Sequence, residues 1–299
     1  VSRRRGRAFV AWLAVTALAA SLLVAGGFWV ANYLRDAFAP PLAIGCTATV
    51  DGKSYSLAVD QTESASLISA LSVRRGMPAR AASIALATAL QESKLRNIDY
   101  GDLDSVGLFQ QRPSQDWGTA AQIMDPVYSA TAFYNALEKV SGYVDMPLND
   151  AAQIVQRSAS PHAYAQHEDL SRAFASALTG HSQGALSCTL PPATAGGTPT
   201  AVEQALNAVF GPVAAAPAAD GGPSSLLLEV TDRTGWAVAQ WAVANAHQLG
   251  ITQVGYNGRQ WTRGDTNQKT GTNAGWQPAA AGPAGTVQVT LATAPSVTP

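Results

Sequence analysis

Ile84-Ala85-Leu86-Ala87-Thr88-Ala89-Leu90-Gln91-Glu92-Ser93 is an apolar run that ends in a carboxylate, and Gly107-Leu108-Phe109-Gln110 follows in the next loop. Pro78 suits a first helical turn, so Pro78–Ser93 reads as one helix with Glu92 in its last turn. Two forces would hold the Glu92 carboxyl neutral there. The apolar run would desolvate it, and the helix dipole disfavours negative charge at a C-terminal end. A carboxyl kept protonated near neutral pH is what a general acid requires. An isolated Glu at a helix end is ordinarily a solvated surface residue, so the reading depends on its neighbours.

Outward from this helix the pattern stays helical. Ser64–Arg75 closes at Gly76, Pro126–Val140 follows an Asp125 N-cap, Ala151–Ser158 follows Asn149-Asp150, and His162–Thr179 stops at Gly180. Upstream, Thr47–Val50 and Ser54–Val59 alternate around Asp51-Gly52, the signature of a short hairpin. Cys46 and Cys188 bracket all of this and are the only cysteines, which predicts a disulfide in an oxidising compartment. In the chain-entropy model, closing so long a loop stabilises by about 5 kcal/mol.

At the N-terminus, Arg3, Arg4, Arg5 and Arg7 precede a charge-free run from Phe9 to Leu34. As a helix that run spans about 39 Å at roughly 1.5 Å per residue, more than the ~30 Å hydrocarbon core of a bilayer. An uncleaved membrane anchor is expected, with the basic end cytoplasmic and everything after it outside. A cleaved signal peptide is the alternative. Ala37-Phe38-Ala39 has the small-x-small form, but Pro40 follows directly, and the apolar run exceeds a typical signal core.

Beyond Pro191 the composition turns to Pro, Ala, Gly and Thr, with one helical insert from Ala201 to Phe210. A small module then reads as strand Leu226–Val230, helix Gly235–Leu249, strand Ile251–Tyr256 and an Asn257-Gly258 turn. Trp241 sits at helical spacing from Val238 and Asn245 and reads as core. Trp261 and Trp276, in polar surroundings, are the candidates for ligand contact.

The segment from Leu86 to Gln110 resembles the lysozyme-like superfamily of lytic transglycosylases and goose-type lysozymes. The residues that carry the resemblance are Glu92-Ser93 at a helix end, Gly101-Asp102, and Gly107-Leu108-Phe109-Gln110, with Phe109 where the family has Met. The block Asp102-x-Asp104-Ser105-x-Gly107-Leu108-Phe109-Gln110-Gln111-Arg112-Pro113-Ser114-x-x-Trp117-Gly118 is similar to exported, membrane-anchored actinobacterial and phage proteins with a lysozyme-like domain. Arg112 stands where goose-type lysozymes carry an Asp, so Asp102 or Asp104 would have to supply any second acid. The family's groove-lining Tyr has two counterparts, Gln156 by position and Tyr164 by residue type.

The resemblance implies cleavage of the β-1,4 bond between N-acetylmuramic acid and N-acetylglucosamine in peptidoglycan glycan strands, with Glu92 as general acid/base. Asp102 and Asp104 are the remaining catalytic candidates, and Ser93, Phe109, Gln110, Trp117, Gln156 and Tyr164 the substrate-binding ones. A non-catalytic wall-binding or scaffold protein that keeps only the groove is the alternative. A two-carboxylate inverting route needs the acids roughly 6.5–9.5 Å apart. With Glu92 alone, the substrate's N-acetyl group would assist and leave an anhydro product.

The expected fold is therefore mainly α. A lysozyme-like helical domain (46–188) opens with a short β-hairpin. It follows a basic cytoplasmic tail (1–8) and one transmembrane helix (9–34). A Pro/Ala/Gly-rich linker (189–225), a small α+β module (226–278) and a disordered tail (279–299) come after it. The module would dock to wall or protein.

Charged residues make up 13% of the 299 and the net charge is −1, which excludes the concentrated basic face of a nucleic-acid binder. No cofactor or metal is expected. His162 and His167 fall about 140° apart on a helix, away from a common face with Glu168. The loop around Asp102 and Asp104 lacks the other ligands of a calcium loop. One spanning segment is too few for a transporter.

Overall fold

Asp51 and Gly52 take the positive φ values, 51° and 74°, that a tight hairpin turn demands, and the chain reverses there. Strand β1 (Gly45–Val50) thereby pairs with β2 (Lys53–Leu57). A third strand, β3 (Leu186–Thr189), pairs with the other edge of β1, and Cys46 lies directly opposite Cys188. The two are joined as a disulfide with their Cα atoms 4.0 Å apart. The structure, a computed structural model, describes residues 21, 26–27, 41–158, 162–218, 224–267 and 269–293.

The helices follow in order: α1 (Val59–Arg74), α2 (Ala79–Ser93), α3 (Ala120–Ile123), α4 (Pro126–Leu137), α5 (Leu148–Gln156) and α6 (Glu168–Leu178). Every residue of α2 from Ala81 to Leu90 is buried, the mark of a helix inside a core. It is enclosed by α1, α4, α5 and α6. Its alanines allow that close approach on several sides at once. At α4, Asp125 Oδ1 accepts from the backbone N–H of Val127 at 2.8 Å, fulfilling the expected cap.

The second half comprises α7 (Pro199–Phe210), β4 (Ala215–Pro217), β5 (Ser225–Glu229), α8 (Asp232–Ala244), β6 (Ile251–Tyr256), β7 (Arg259–Thr262), β8 (Gln277–Pro278) and β9 (Thr286–Leu291). Its strands form one antiparallel sheet in the order β4-β5-β9-β6-β7-β8. With two antiparallel sheets, of three and six strands, among the described residues, the fold is α+β, which corrects the mainly α expectation. Helices occur in each stretch of helical periodicity, although the one expected over His162–Thr179 begins only at Glu168. What the periodicity could not reveal were strands paired across long sequence separations.

Two segments differ from their expected character. The stretch 189–225 contains α7, matching the helical insert, but also β4 and the start of β5. The stretch 279–299 contains β9, which lies between β5 and β6 near the middle of the sheet. Among the described residues no helix is long and apolar enough to cross a membrane. The expected tail 1–8 and, apart from residues 21, 26 and 27, the expected span 9–34 lie outside the described residues.

Leu42–Asn267 and Thr272–Pro299 form one compact unit. Helix α8 packs on α1, α6 and β3, so both halves share a core. Gln240, fully buried on α8, is the principal polar tie. Its Oε1 accepts from the N–H groups of Ala185 and Leu186, each at 2.8 Å. Its Nε2 donates to the carbonyls of Ala177 (2.6 Å) and Ser182 (3.1 Å). Asn245 Nδ2 reaches Ser66 Oγ on α1 at 2.9 Å. Trp236, Trp241, Trp261 and Trp276 are all buried, so Trp261 and Trp276 are core residues and not ligand platforms. The Trp276 indole N–H instead donates to the Leu186 carbonyl at 2.8 Å.

Candidate active site

Helix α2 ends because Lys94 and Leu95 both adopt left-handed backbone (φ 55° and 58°), and their N–H groups turn back to Leu90 and Ala89 carbonyls. Leu95 is fully buried, which anchors the turn. Glu92 is thus fixed at the C-terminal end of a central helix, half-buried. Burial pushes its carboxyl above the ordinary range, while hydrogen bonds from Tyr164 and Gln156 pull the other way.

Tyr164, fully buried, donates its hydroxyl to Glu92 Oε1 at 2.7 Å. Burial and then the Glu92 charge push the phenol up, so it stays a donor. Gln156, the last residue of α5, donates to the Phe109 carbonyl at 2.9 Å and also to Glu92. Both counterparts proposed for the family Tyr therefore converge on one carboxylate. Beside them, Gln91 Oε1 meets Gln166 Nε2 (3.0 Å) and His167 Nε2 (3.1 Å), a cluster the sequence did not suggest. Burial lowers the pKa of His167.

The Gly-Leu-Phe-Gln segment acts as a frame. Gly107 needs its positive φ of 81°, and a Cβ there would lie 2.8 Å from the Ile123 carbonyl. Ser93, expected on the substrate, is buried, with its hydroxyl on the Leu108 carbonyl at 2.7 Å. Phe109, expected on a sugar face, is fully buried and stacks on Phe133 with centroids 4.6 Å apart. Gln110 turns its amide to the Tyr100 and Gly107 carbonyls, both at 3.3 Å. A Cβ on Gly101 would collide with the Gln110 side-chain oxygen, which explains a glycine in the Gly101-Asp102 pair.

Asp104 is engaged elsewhere. Arg112 Nε (2.8 Å) and the Ser114 hydroxyl (2.9 Å) donate to its Oδ1, and the Ser114 N–H donates to its Oδ2 (2.8 Å). These donors, Arg112 foremost, hold its carboxyl down to about 2. Such a carboxylate is a poor base, and its partners make it a brace for the loop. Asp102 is exposed, and its backbone carbonyl accepts from the Ser105 N–H at 3.0 Å.

Trp117 is half-buried along a groove of ≈600 Å³. Ile154, Val155 and Gln156 of α5 line the same groove, with Lys139, Asp116 and Arg157 also on its walls. Gln156 belongs both to this groove and to the surroundings of Glu92. Ile154, 52% exposed, offers an apolar contact there that sequence reading passed over. Among the described residues no group of three or more His, Cys, Asp or Glu could hold a metal ion.

The arrangement can present one partly desolvated carboxylic acid, oriented by a phenol and an amide, with the amide of Gln156 shared with a neighbouring groove. No protein-family model matches the chain, and no curated protein is significantly similar to it.

Proposed function

We propose that the chain is a peptidoglycan glycosidase of the lytic transglycosylase type, with Glu92 as its single acid/base. The observation that carries this reading is the Glu92 carboxyl itself, raised by burial, held by Tyr164 and sharing Gln156 with the groove. The motif resemblance supplies the substrate class, the glycan strand cut at the N-acetylmuramyl β-1,4 bond. The Cys46–Cys188 disulfide supports action outside the cytoplasm.

In this mechanism Glu92 gives its proton to the glycosidic oxygen as the C–O bond breaks. The substrate's N-acetyl oxygen covers the developing positive charge at the anomeric carbon. Glu92, now a carboxylate, removes the proton from the sugar's own 6-hydroxyl as that oxygen closes on the anomeric carbon, giving an anhydro end. Water in place of that hydroxyl gives a reducing end. The single-carboxylate route is favoured over an inverting one because Asp104 is tied to Arg112 and Ser114. The engagement of Asp104 also favours, as the other reading, a wall-binding domain without turnover.

Sugar release from purified peptidoglycan by the parent and by Glu92→Gln separates the two. Release by the parent alone, with anhydro ends by mass spectrometry, is the expected result. Equal background release from both would remove the enzyme reading.

A further inference from the structure

Glu63 lies on α1 in a groove of ≈300 Å³ that has no part in the Glu92 site. The walls come from both halves of the chain and are mainly apolar: Leu67 of α1, Val127 of α4, Val209 of α7 and Trp241 of α8. Several of the polar donors around it are already committed. Asn245 gives its Nδ2 to Ser66 and Trp241, and its Oδ1 takes Gln248 Nε2 at 2.6 Å. Asn97 donates to the Met124 carbonyl at 2.8 Å, and the Ser64 hydroxyl to the Asp60 carbonyl at 3.2 Å.

The Glu63 carboxylate is the charged group in this lining. It is half-buried, and no donor among the described residues reaches it. Arg96, the neighbouring cation, is spent on Asp60, with Nε 2.6 Å from Oδ2. Burial first and the Asp60 charge second push the Glu63 carboxyl up, so both act against an unpaired negative charge. A partly desolvated carboxylate left without a donor costs free energy that a cationic ligand would return.

We propose that this groove binds the aliphatic ammonium side chain of a peptide, a lysine or a diamino acid of similar length, with Glu63 as its counter-ion. The volume falls at the low end of the roughly 300–1,000 Å³ of small-molecule sites, so it admits one side chain and not a helix. The alkyl stem would cover Leu67, Val209 and Trp241 while the ammonium meets Glu63. A guanidinium fits less well, since its rigid planar fork of five donors needs several acceptors in matching directions, whereas an ammonium meets Glu63 as a compact point charge. A free alkylamine would bear the whole entropy of association against one stem and one ion pair, whereas a peptide adds contacts along the exposed rim at Ala208 and Gln248.

This inference is independent of turnover at Glu92. Isothermal titration of the whole chain with N-acetyl-Gly-Lys-Gly-amide, its norleucine counterpart and n-pentylamine tests it. The lysine peptide is expected to bind at least about tenfold more tightly than either control. Glu63→Gln, which removes the charge, and Ala208→Phe, which fills the groove from the exposed face of α7, should each weaken it by about tenfold. Lysine and norleucine peptides binding alike, or no binding of either, would overturn the proposal. So would pentylamine matching the peptide, or both variants binding as the parent does.

Discussion

The hydroxyl of Tyr164 and Oε1 of Glu92 lie 2.7 Å apart although 72 residues separate them in the chain. The bond favours the ionised carboxylate, whereas burial favours the neutral acid, and burial prevails. The acid strength of Glu92 is thus set by two opposed influences, one of which can be removed without disturbing the other.

Tyr164→Phe keeps the ring and deletes the donor. The Glu92 pKa should then rise further, and the alkaline limb of the kcat/KM profile should move to higher pH. An unmoved limb with a lower plateau would make Tyr164 a substrate contact and nothing more. The folded protein should lose about 0.5–1.5 kcal/mol where Glu92 is neutral and about 1.5–3 kcal/mol where it is ionised, the usual worth of a hydrogen bond to each form.

Glu92→Gln should alter stability in a pH-dependent way. The folded carboxyl titrates above its unfolded value near 4.3. Between those values the folded state binds more protons, so the contribution of Glu92 to stability is full below about 4.3 and is lost as pH rises through the folded pKa. The variant should therefore gain on the parent in melting temperature as pH rises through that window. Glu63 titrates in the same direction, so the parent–variant difference, not the parent curve alone, carries the test. A difference independent of pH would contradict the desolvated environment.

Asp104 has the opposite sign. Its carboxyl is held down to about 2 against about 3.9 when unfolded. Its contribution is present above about 3.9 and disappears as pH falls through 2. Asp104→Asn should speed hydrogen exchange at the Ser114 amide, which donates to Asp104 Oδ2 at 2.8 Å. That acceleration should vanish near pH 2, and an unchanged exchange rate at neutral pH would show that the brace does not hold the loop.

Gln240→Leu would take the acceptor from the Ala185 and Leu186 N–H groups and the donor from the Ser182 carbonyl, while the Ala177 carbonyl keeps the Gly180 N–H at 2.9 Å. At about 1–3 kcal/mol for each unsatisfied group, a loss of at least about 3 kcal/mol is expected after partial relaxation. Denaturant unfolding should show it as one transition by both far-ultraviolet dichroism and tryptophan fluorescence, since both halves share a core. Two separate transitions would mean that the halves unfold independently.

What the sequence disclosed was local. The apolar run into Glu92, the Asp125 cap and the Asp51-Gly52 turn depend on neighbours within a few residues. Tyr164 and Gln156 were both found, though as rivals for one role when they act on the same carboxylate. Phe109 could not be told from a sugar platform, because its ring meets Phe133 on a helix 24 residues further on. Glu63 looks like any surface acid of α1 until α7 and α8 fold back over it. Strand β9 was hidden by composition. Thr286-Val287-Gln288-Val289-Thr290-Leu291 alternates with the period of a strand, but the Ala, Pro and Gly on either side mask it.

That strand has a consequence for how the molecule comes into being. Since β9 lies between β5 and β6, those two strands meet through it and not directly. Until Leu291 has emerged from whatever machinery delivers the chain, β5 and β6 face each other with a strand-wide gap and exposed edges. The six-stranded sheet is thus completed only once β9 has been made. A product cut off anywhere between Pro278 and Thr286 would carry every candidate-site residue yet leave the facing edges of β5 and β6 unpaired.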